Sequence, residues 1–540
     1  MSSVSVHVRT PVLIVGAGPV GLALAIELGS RGIPCRVVER NDRVGYAPRA
    51  KTTHVRTREH LRRWGIADRL AAASPFGIDY PSNVIFVTRL SGPKLAQFEN
   101  AFHCAPARNP LYSEHAQWIP QYRLEEVLRA HAQSLPDVEI CFNTEFVSCE
   151  QDALQVRTLI RDLAAGTLTT VASEFLVGAD GARSAVRAAI GARMEGDYGL
   201  SRNYNIVFRA SGLAAAHPHG PGIMYWHVNP DAPGLLGPMD QDDKWFFMPT
   251  RIADGVKLSN ADAAAMIRTA TGIDLPYEIL SSDEWVASRL IADRYRDRRV
   301  FLAGDACHLH PPFGGYGMNM GIADAVDLGW KLAGCMQRWG GPGLLESYTR
   351  ERRPVHEYVM NEAVANHSVL ANQLWRPGLD DATAAGEAVR TTVGAQIMEA
   401  KAREFHTLGV VLGYYYDASP IVVADGSEPP ILDSRRYIPS GRPGCVAPHA
   451  WLVDGRSLYD CFGSGFTLLV FGEDHDADVT SAREHARRLG VPLHVVRIQE
   501  AGIRELYQAT YALIRPDQHV AWRGNSAPDS DVLKQISGNG

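Results

Sequence analysis

The chain has 540 residues, 46% hydrophobic and 21% charged, with 54 basic side chains against 60 acidic ones. That length exceeds one hydrophobic core, so two to four domains are expected. The near-balanced charge leaves no footprint for nucleic acid or a membrane surface. The eight cysteines (Cys35, Cys104, Cys141, Cys149, Cys307, Cys335, Cys445 and Cys461) contain no CxxC pair. That argues against a disulfide framework or clustered zinc site and fits a reduced cytoplasmic interior. No stretch has the length of a membrane span, and the first residues do not read as a signal peptide.

In chain order, Pro11–Val15 reads as an apolar strand. Gly16-Ala17-Gly18-Pro19-Val20-Gly21 follows, then a helix to Arg31 closed by Gly32, then a second strand, Cys35–Glu39, ending on an acid. This is a βαβ unit with GxGxxG. Its glycines allow a tight turn and close approach to a pyrophosphate, and the helix N-terminus holds the phosphates. Gly16, Gly18, Pro19 and Gly21 are therefore cofactor candidates. Glu39 would accept from ribose hydroxyls, and the adjoining Arg40 is counted with it. Taken alone, the unit also suits NAD.

Arg49 and Ala50 come next, then His54, Arg56 and Arg58 ahead of a helix ending at Trp64-Gly65. Residues 75–120 read as irregular. Gln121 opens a helix. Val138–Phe142 and Leu154–Ile160 alternate as strands, and Thr167–Ala172 pairs with the latter. Phe175–Ser184 reads as strand, turn and short helix, with Asp180 able to cap the turn and Gly181 tolerant of positive φ. Within 200–290, the segments Asn205–Ala210, Met224–Val228 and Lys244–Pro249 read as an antiparallel sheet with one face on a pocket. Tyr225, Trp226, His227 and Arg251 are pocket candidates, although Tyr225 and His227 cannot share a face with Trp226.

The chain is organised around Gly304-Asp305-Ala306-Cys307-His308-Leu309-His310-Pro311-Pro312-Phe313-Gly314-Gly315-Tyr316-Gly317-Met318-Asn319-Met320-Gly321. It lies between the strand Arg299–Ala303 and a helix from Gly317 to Arg338. Such a loop approaches a ligand closely, and the helix N-terminus suits an anion. His308 and His310 invite a metal reading, but no third ligand stands at a usual spacing, and no metal is expected.

This stretch resembles the GD…PP…G…GxN segment of single-component FAD-dependent aromatic hydroxylases, the class of p-hydroxybenzoate and phenol hydroxylases. The GxGxxG unit and Gly178-Ala179-Asp180-Gly181 resemble that family's other two fingerprints, in order. The resemblance implies an α/β fold: a Rossmann-like FAD-binding domain, an inserted antiparallel-sheet substrate domain and a C-terminal thioredoxin-like domain. The FAD-binding domain would comprise 1–80, 105–190 and 290–360, and the sheet domain 81–104 and 191–289. A helical region, 361–425, and the thioredoxin-like domain, 426–540, would follow.

By the same resemblance Gly304, Asp305, Pro312, Gly315, Gly317, Met318 and Asn319 face the flavin. Asp305 would lie on the ribityl and pyrophosphate region, and the Met318 and Asn319 backbone on the pyrimidine ring. Arg49 and Gln121 border the cofactor, and Asp180 serves both FAD and pyridine nucleotide. His54, Tyr225, His227 and Arg251 are the catalytic candidates of the pocket.

The implied activity hydroxylates a phenolic or related aromatic substrate with O2, through a C4a-hydroperoxyflavin. It uses noncovalent FAD and NAD(P)H as a transient reductant. The rivals are a non-oxygenating flavin oxidase or reductase, and a flavin-fold binding protein without chemistry. A monomer or homodimer is expected, with no nucleic-acid or membrane partner.

Past the strap, Arg350 to Arg353 read as a solvated basic face of a helix. Asp417–Arg442 reads as a domain boundary. Phe466–Phe471 and Pro492–Arg497 are strands around the helix Ser481–Leu489, followed by a hairpin at Arg515–Gln518. This unit lacks CxxC, so thiol exchange is not expected of it. The residues from about Asn525 read as disordered.

Overall fold

The computed structural model describes residues 6–42, 50–241, 243–250, 252, 256–369, 371–472 and 475–540. Two expected site residues, Arg49 and Arg251, lie outside the described residues.

The first sheet is built around Val6–Val15. It pairs in parallel with Cys35–Val38 on one side and Leu168–Gly178 on the other. Val138–Cys141 and Val300–Leu302 extend it, also in parallel. Val12, Leu13 and Ile14 are all fully buried. Consecutive buried apolar residues mark a parallel sheet covered on both faces. Helix Pro19–Gly29 packs against the strap helix, Tyr316–Met336. A Cβ on Gly329 would lie 2.5 Å from Glu27 Cγ, so glycine sets how closely the two helices approach.

The second sheet has eight strands, in the order His308–Leu309, Glu278–Ala292, Met194–Arg209, Lys244–Pro249, Gly234–Pro238, Met224–His227, Val84–Val87 and Lys94–Phe98. The last two correct the reading of 75–120 as irregular. They are short, and their loops carry the glycines and prolines that dominate the local sequence. One face of this sheet presents Phe86, Met224, Trp226 and Phe246 toward the strap. The other presents Tyr225, Leu236, Trp245 and Phe247 to helix Asn260–Thr271. Alternation of side chains along each strand makes that division.

The C-terminal sheet runs Leu493–Ile498, Phe466–Phe471, Tyr511–Ile514, Val520–Gly524. The first two strands are parallel and joined through helix Asp476–Leu489; the others are antiparallel. This is the thioredoxin-like arrangement. The end of the chain is ordered, contrary to expectation. Ser530–Ile536 is a helix, capped by Asp529, and its Leu533 and Ile536 are fully buried beside Trp330 and Phe466. Seven residues are too few for a helical period to show in sequence.

The basic run at 350–353 is also corrected. Arg350 is exposed, but Arg352 and its neighbour Glu351 are buried within helix Pro342–Ser368. Glu351 belongs to a buried ionic cluster that docks the C-terminal hairpin. Lys331 Nζ lies 2.7 Å from Asp327 and 2.5 Å from Glu351. Arg515 reaches Glu351 at 2.6 Å, Asp327 at 3.0 Å and Asp517 at 2.6 Å. Arg56 adds hydrogen bonds to Gln518 Oε1 and the Asp517 carbonyl. Burial, with Glu351 close by, pushes the Asp327 carboxyl well above the usual range despite the Lys331 and Arg515 charges.

Candidate functional site: a glycine-lined cradle facing an aromatic sheet

The three glycines of the first loop differ in what they do. Gly16 has φ +106°, and a Cβ there would sit 2.4 Å from the Ala179 carbonyl oxygen. A Cβ on Gly21 would sit 1.9 Å from the Gly16 carbonyl oxygen. Both glycines are demanded by the protein's own packing. Gly18 has ordinary φ, −73°, and its absent Cβ would meet nothing within 4 Å. The described residues therefore do not require glycine there, and the gap suits a ligand. Pro19 begins the helix behind it, whose first N–H groups lack intrahelical partners. Glu39 stands at the mouth of the loop. Its Oε2 accepts from Ala17 N–H at 2.9 Å, and its Oε1 from the Asn41 N–H at 2.9 Å. Arg40 is exposed beside it.

The Asp180 carboxylate accepts from Ser184 Oγ at 2.5 Å, Ala185 N–H at 2.7 Å and Val186 N–H at 3.2 Å. Gly181, at φ +79°, completes the turn. Asp180 thus organises the loop from within.

In the strap, Gly304 N–H donates to Asp324 Oδ2 at 3.0 Å, and Asp305 is exposed in the turn that follows. The Pro312 carbonyl accepts from Gly315 N–H. Gly315, at φ +69°, starts the helix, and a Cβ on it would lie 3.2 Å from Thr52 Cβ. Gly317 resembles Gly18: a Cβ there would meet only His310 Cβ, at 4.0 Å. Tyr316, Gly317 and Met318, the first three helical residues, keep their N–H groups outside the helical ladder.

Asn319, the fourth, acts through its side chain, which the sequence reading missed. Its Oδ1 accepts from His54 N–H at 2.9 Å and Thr57 Oγ at 2.7 Å, while its Nδ2 donates to the Thr52 and Gly315 carbonyls at 2.9 and 2.8 Å. One amide with every polar atom used ties the strap to residues 52–57.

His54 reinforces that tie. Its Nε2 bonds the Gly314 carbonyl at 2.8 Å, and the ring stacks on Tyr316. Burial brings its pKa down to about 4, outweighing the backbone hydrogen bonds, so the ring is neutral. A neutral imidazole facing a carbonyl carries its hydrogen on that nitrogen. Gln121 Oε1 accepts from Ala50 N–H at 3.1 Å, and its Nε2 donates to Glu125 at 2.7 Å. It holds the cradle's edge at residue 50.

Tyr225 and His227 are placed on the wrong side of the sheet for a pocket role. The Tyr225 hydroxyl donates to the Gly220 carbonyl at 2.6 Å, and His227 packs on Phe247. Tyr225 belongs to the cluster that helix Asn260–Thr271 covers, and His227, two residues on, points to the same face, because strand residues one apart point to opposite faces. Trp226 faces the strap instead, 6.3 Å from the Phe313 ring, and Lys401 Nζ lies 5.0 Å from the Trp226 ring. Lys51 Nζ sits 4.0 Å over Phe246 on the same face. Alternation alone could have singled out Trp226; the two lysines reach this face of the sheet from other elements.

Behind the strap, the fold supplies His310 and His308 with the neighbours that sequence spacing did not show, His356 and Asp324. Asp324 accepts from Arg352 Nε at 2.8 Å and faces His308 and His356 Nε2 at 2.7 Å each. Burial would raise the Asp324 pKa, but those three partners hold it well below the usual range. The guanidinium on this carboxylate opposes a cation beside it, and no metal is assigned.

Residues 9–363 match the FAD binding domain family, and residues 440–538 the C-terminal domain of aromatic-ring hydroxylases. The chain is 33% identical to the tetracenomycin B2 monooxygenase-dioxygenase of Streptomyces olivaceus, over 97% of this chain and 96% of the relative. It is 31% identical to the 2,4-dichlorophenol 6-monooxygenase of Delftia acidovorans, over 97% and 96%. The solved structure of the flavin-dependent monooxygenase PieE with FAD and substrate superposes with TM-score 0.90, at 30% identity, over 99% of this chain and 100% of that one.

Proposed function

The chain belongs to the FAD-dependent aromatic-ring hydroxylases, and we propose that it hydroxylates a phenol held between the strap and the Trp226–Phe246 face of the sheet. The observation that carries this placement is the pair of open glycines. Gly18 and Gly317 leave room that none of the described residues fills, one at a dinucleotide-type helix start and one at the strap helix start. A pyrophosphate suits the first, and the edge of a ring that gains negative charge suits the second. A relative that acts on a chlorinated phenol supports the phenolic substrate.

FAD, once reduced by NAD(P)H, supplies the oxygen activation that no side chain provides. The chain's residues orient and enclose. The N–H groups at the start of the strap helix favour the anionic form of a reduced ring, by about 0.3–1 kcal/mol. Asn319 and His54 keep those groups in place. Trp226, Phe246 and Phe313 offer an apolar bed from which water is excluded, which protects a reactive oxygen donor. NAD(P)H binds transiently, and the eight unpaired cysteines suit the cytoplasm. No described helix is long and apolar enough to cross a membrane.

The test is a screen of phenols for substrate-stimulated NAD(P)H oxidation under isotopically labelled O2. One labelled oxygen atom in a hydroxylated product is the expected result. NAD(P)H oxidation that never labels any phenol would contradict the proposal.

A further inference from the structure

Two lysines reach the aromatic face of the sheet, and they differ in one respect. Lys401, beside Trp226 and Phe313, is neutralised by Glu404 and also donates to the Val369 carbonyl. Lys51, 4.0 Å over Phe246, has no carboxylate or hydrogen-bond partner at its Nζ among the described residues. Its backbone is nonetheless held on both sides. The Lys51 carbonyl accepts from Ile119 N–H at 2.7 Å, and the preceding Ala50 N–H donates to Gln121. The next residue, Thr52, pairs with Trp118 and accepts from Asn319 Nδ2. The same scaffold that holds the strap thus aims at the sheet face an ammonium that no described carboxylate neutralises.

Burial among apolar groups brings the Lys51 pKa down to about 7, with no charged neighbour contributing. An anion beside it would favour the charged ammonium, and the ammonium would in turn favour the ionised form of an acidic ligand.

We propose that Lys51 is the counter-ion for the ionised hydroxyl of the substrate, so that the enzyme takes acidic phenols as phenolates. This rests on the reading that the sheet face receives a phenolic ring. The positive charge selects among rings by acidity and orients the ring by its oxygen.

Equilibrium dialysis of the FAD-loaded enzyme against 4-nitrophenol and against its methyl ether, 4-nitroanisole, separates charge from shape. The parent should bind the phenol at least about tenfold more tightly than the ether, a difference of ~1.4 kcal/mol. The bound phenol should show the phenolate absorption band at a pH where most of the free phenol is protonated. Lys51→Met and Lys51→Gln should bring the two affinities together, with FAD content unchanged, and Lys51→Arg should keep the preference. A parent without the preference, a phenol bound in its neutral form, or a preference that survives in Lys51→Met would each overturn the proposal. A shift of flavin potential in Lys51→Met with an unchanged binding ratio would also overturn it, by assigning the cation to the flavin. Absence of FAD from the purified protein would instead strike the hydroxylase reading, and the dialysis ratio would still be measurable.

Discussion

The strap helix, Tyr316–Met336, carries two opposite kinds of interior. At its start, a side chain on Gly317 would meet only His310 Cβ, at 4.0 Å, among the described residues. Three turns later Asp327 and Lys331 sit in a buried cluster whose acidic and basic side chains all touch one another. The first place has room beside its backbone, and the second is closely packed. Adding atoms should therefore harm binding at the first, while removing a charge should harm folding at the second.

The largest expected effect is at the filled place. Arg515→Met leaves Glu351, Asp327 and Asp517 with one cation fewer in a buried site. Breaking a buried pair in this way costs about 3–5 kcal/mol. Thermal unfolding should shift down, and proteolysis should begin within 417–442; an unchanged melt would show that the cluster does not hold the C-terminal unit.

Asn319→Ala should come next. It strips partners from Thr57, the His54 N–H and the Thr52 and Gly315 carbonyls, at a cost of about 1–3 kcal/mol for buried groups left unpaired. FAD should also dissociate faster in stopped-flow displacement, because the strap is no longer tied to residues 52–57. Full stability with unchanged FAD dissociation would remove the amide from its role.

The smallest effect concerns pH. His54 is held neutral, with a folded pKa of about 4 against an ordinary 6.5. The unfolded chain therefore binds the extra proton first as pH falls. The stabilising contribution is fully present above 6.5 and is lost as pH falls from 6.5 toward 4, by at most ~1.4 kcal/mol per pH unit. Urea midpoints at pH 7 and pH 5 should lie closer together in His54→Gln than in the parent. An equal or wider gap in the variant would contradict the assignment.

Local patterns were readable along the chain because their causes are local. The strand–glycine–helix units, the strap and the hairpin at Arg515–Gln518 all lie where turn chemistry and apolar periods put them. What could not be read depends on partners far away. Asn319 and His54 meet across 265 positions, and Arg515 and Glu351 across 164. Arg352 looks like surface charge until Asp324 is placed beside it. The eight-stranded sheet shows the intermediate case. Its alternation was visible, and it already separated Trp226 from Tyr225 and His227, but which face met the strap was decided by helix Asn260–Thr271 covering the other. Gly16, Gly18 and Gly21 look alike in the motif, and only packing distinguishes the two glycines the fold needs from the one it does not.

That distinction is tested most directly by FAD affinity measured beside apoprotein stability for Gly16→Val, Gly18→Val and Gly317→Val. For the two open positions the FAD Kd should rise at least about tenfold, ~1.4 kcal/mol, while the apoprotein melts near the parent temperature. Gly16→Val should melt early even without FAD, since its Cβ would meet the Ala179 carbonyl. If Gly18→Val and Gly317→Val destabilise the apoprotein but bind FAD as the parent does, the open glycines belong to the fold and not to the cofactor.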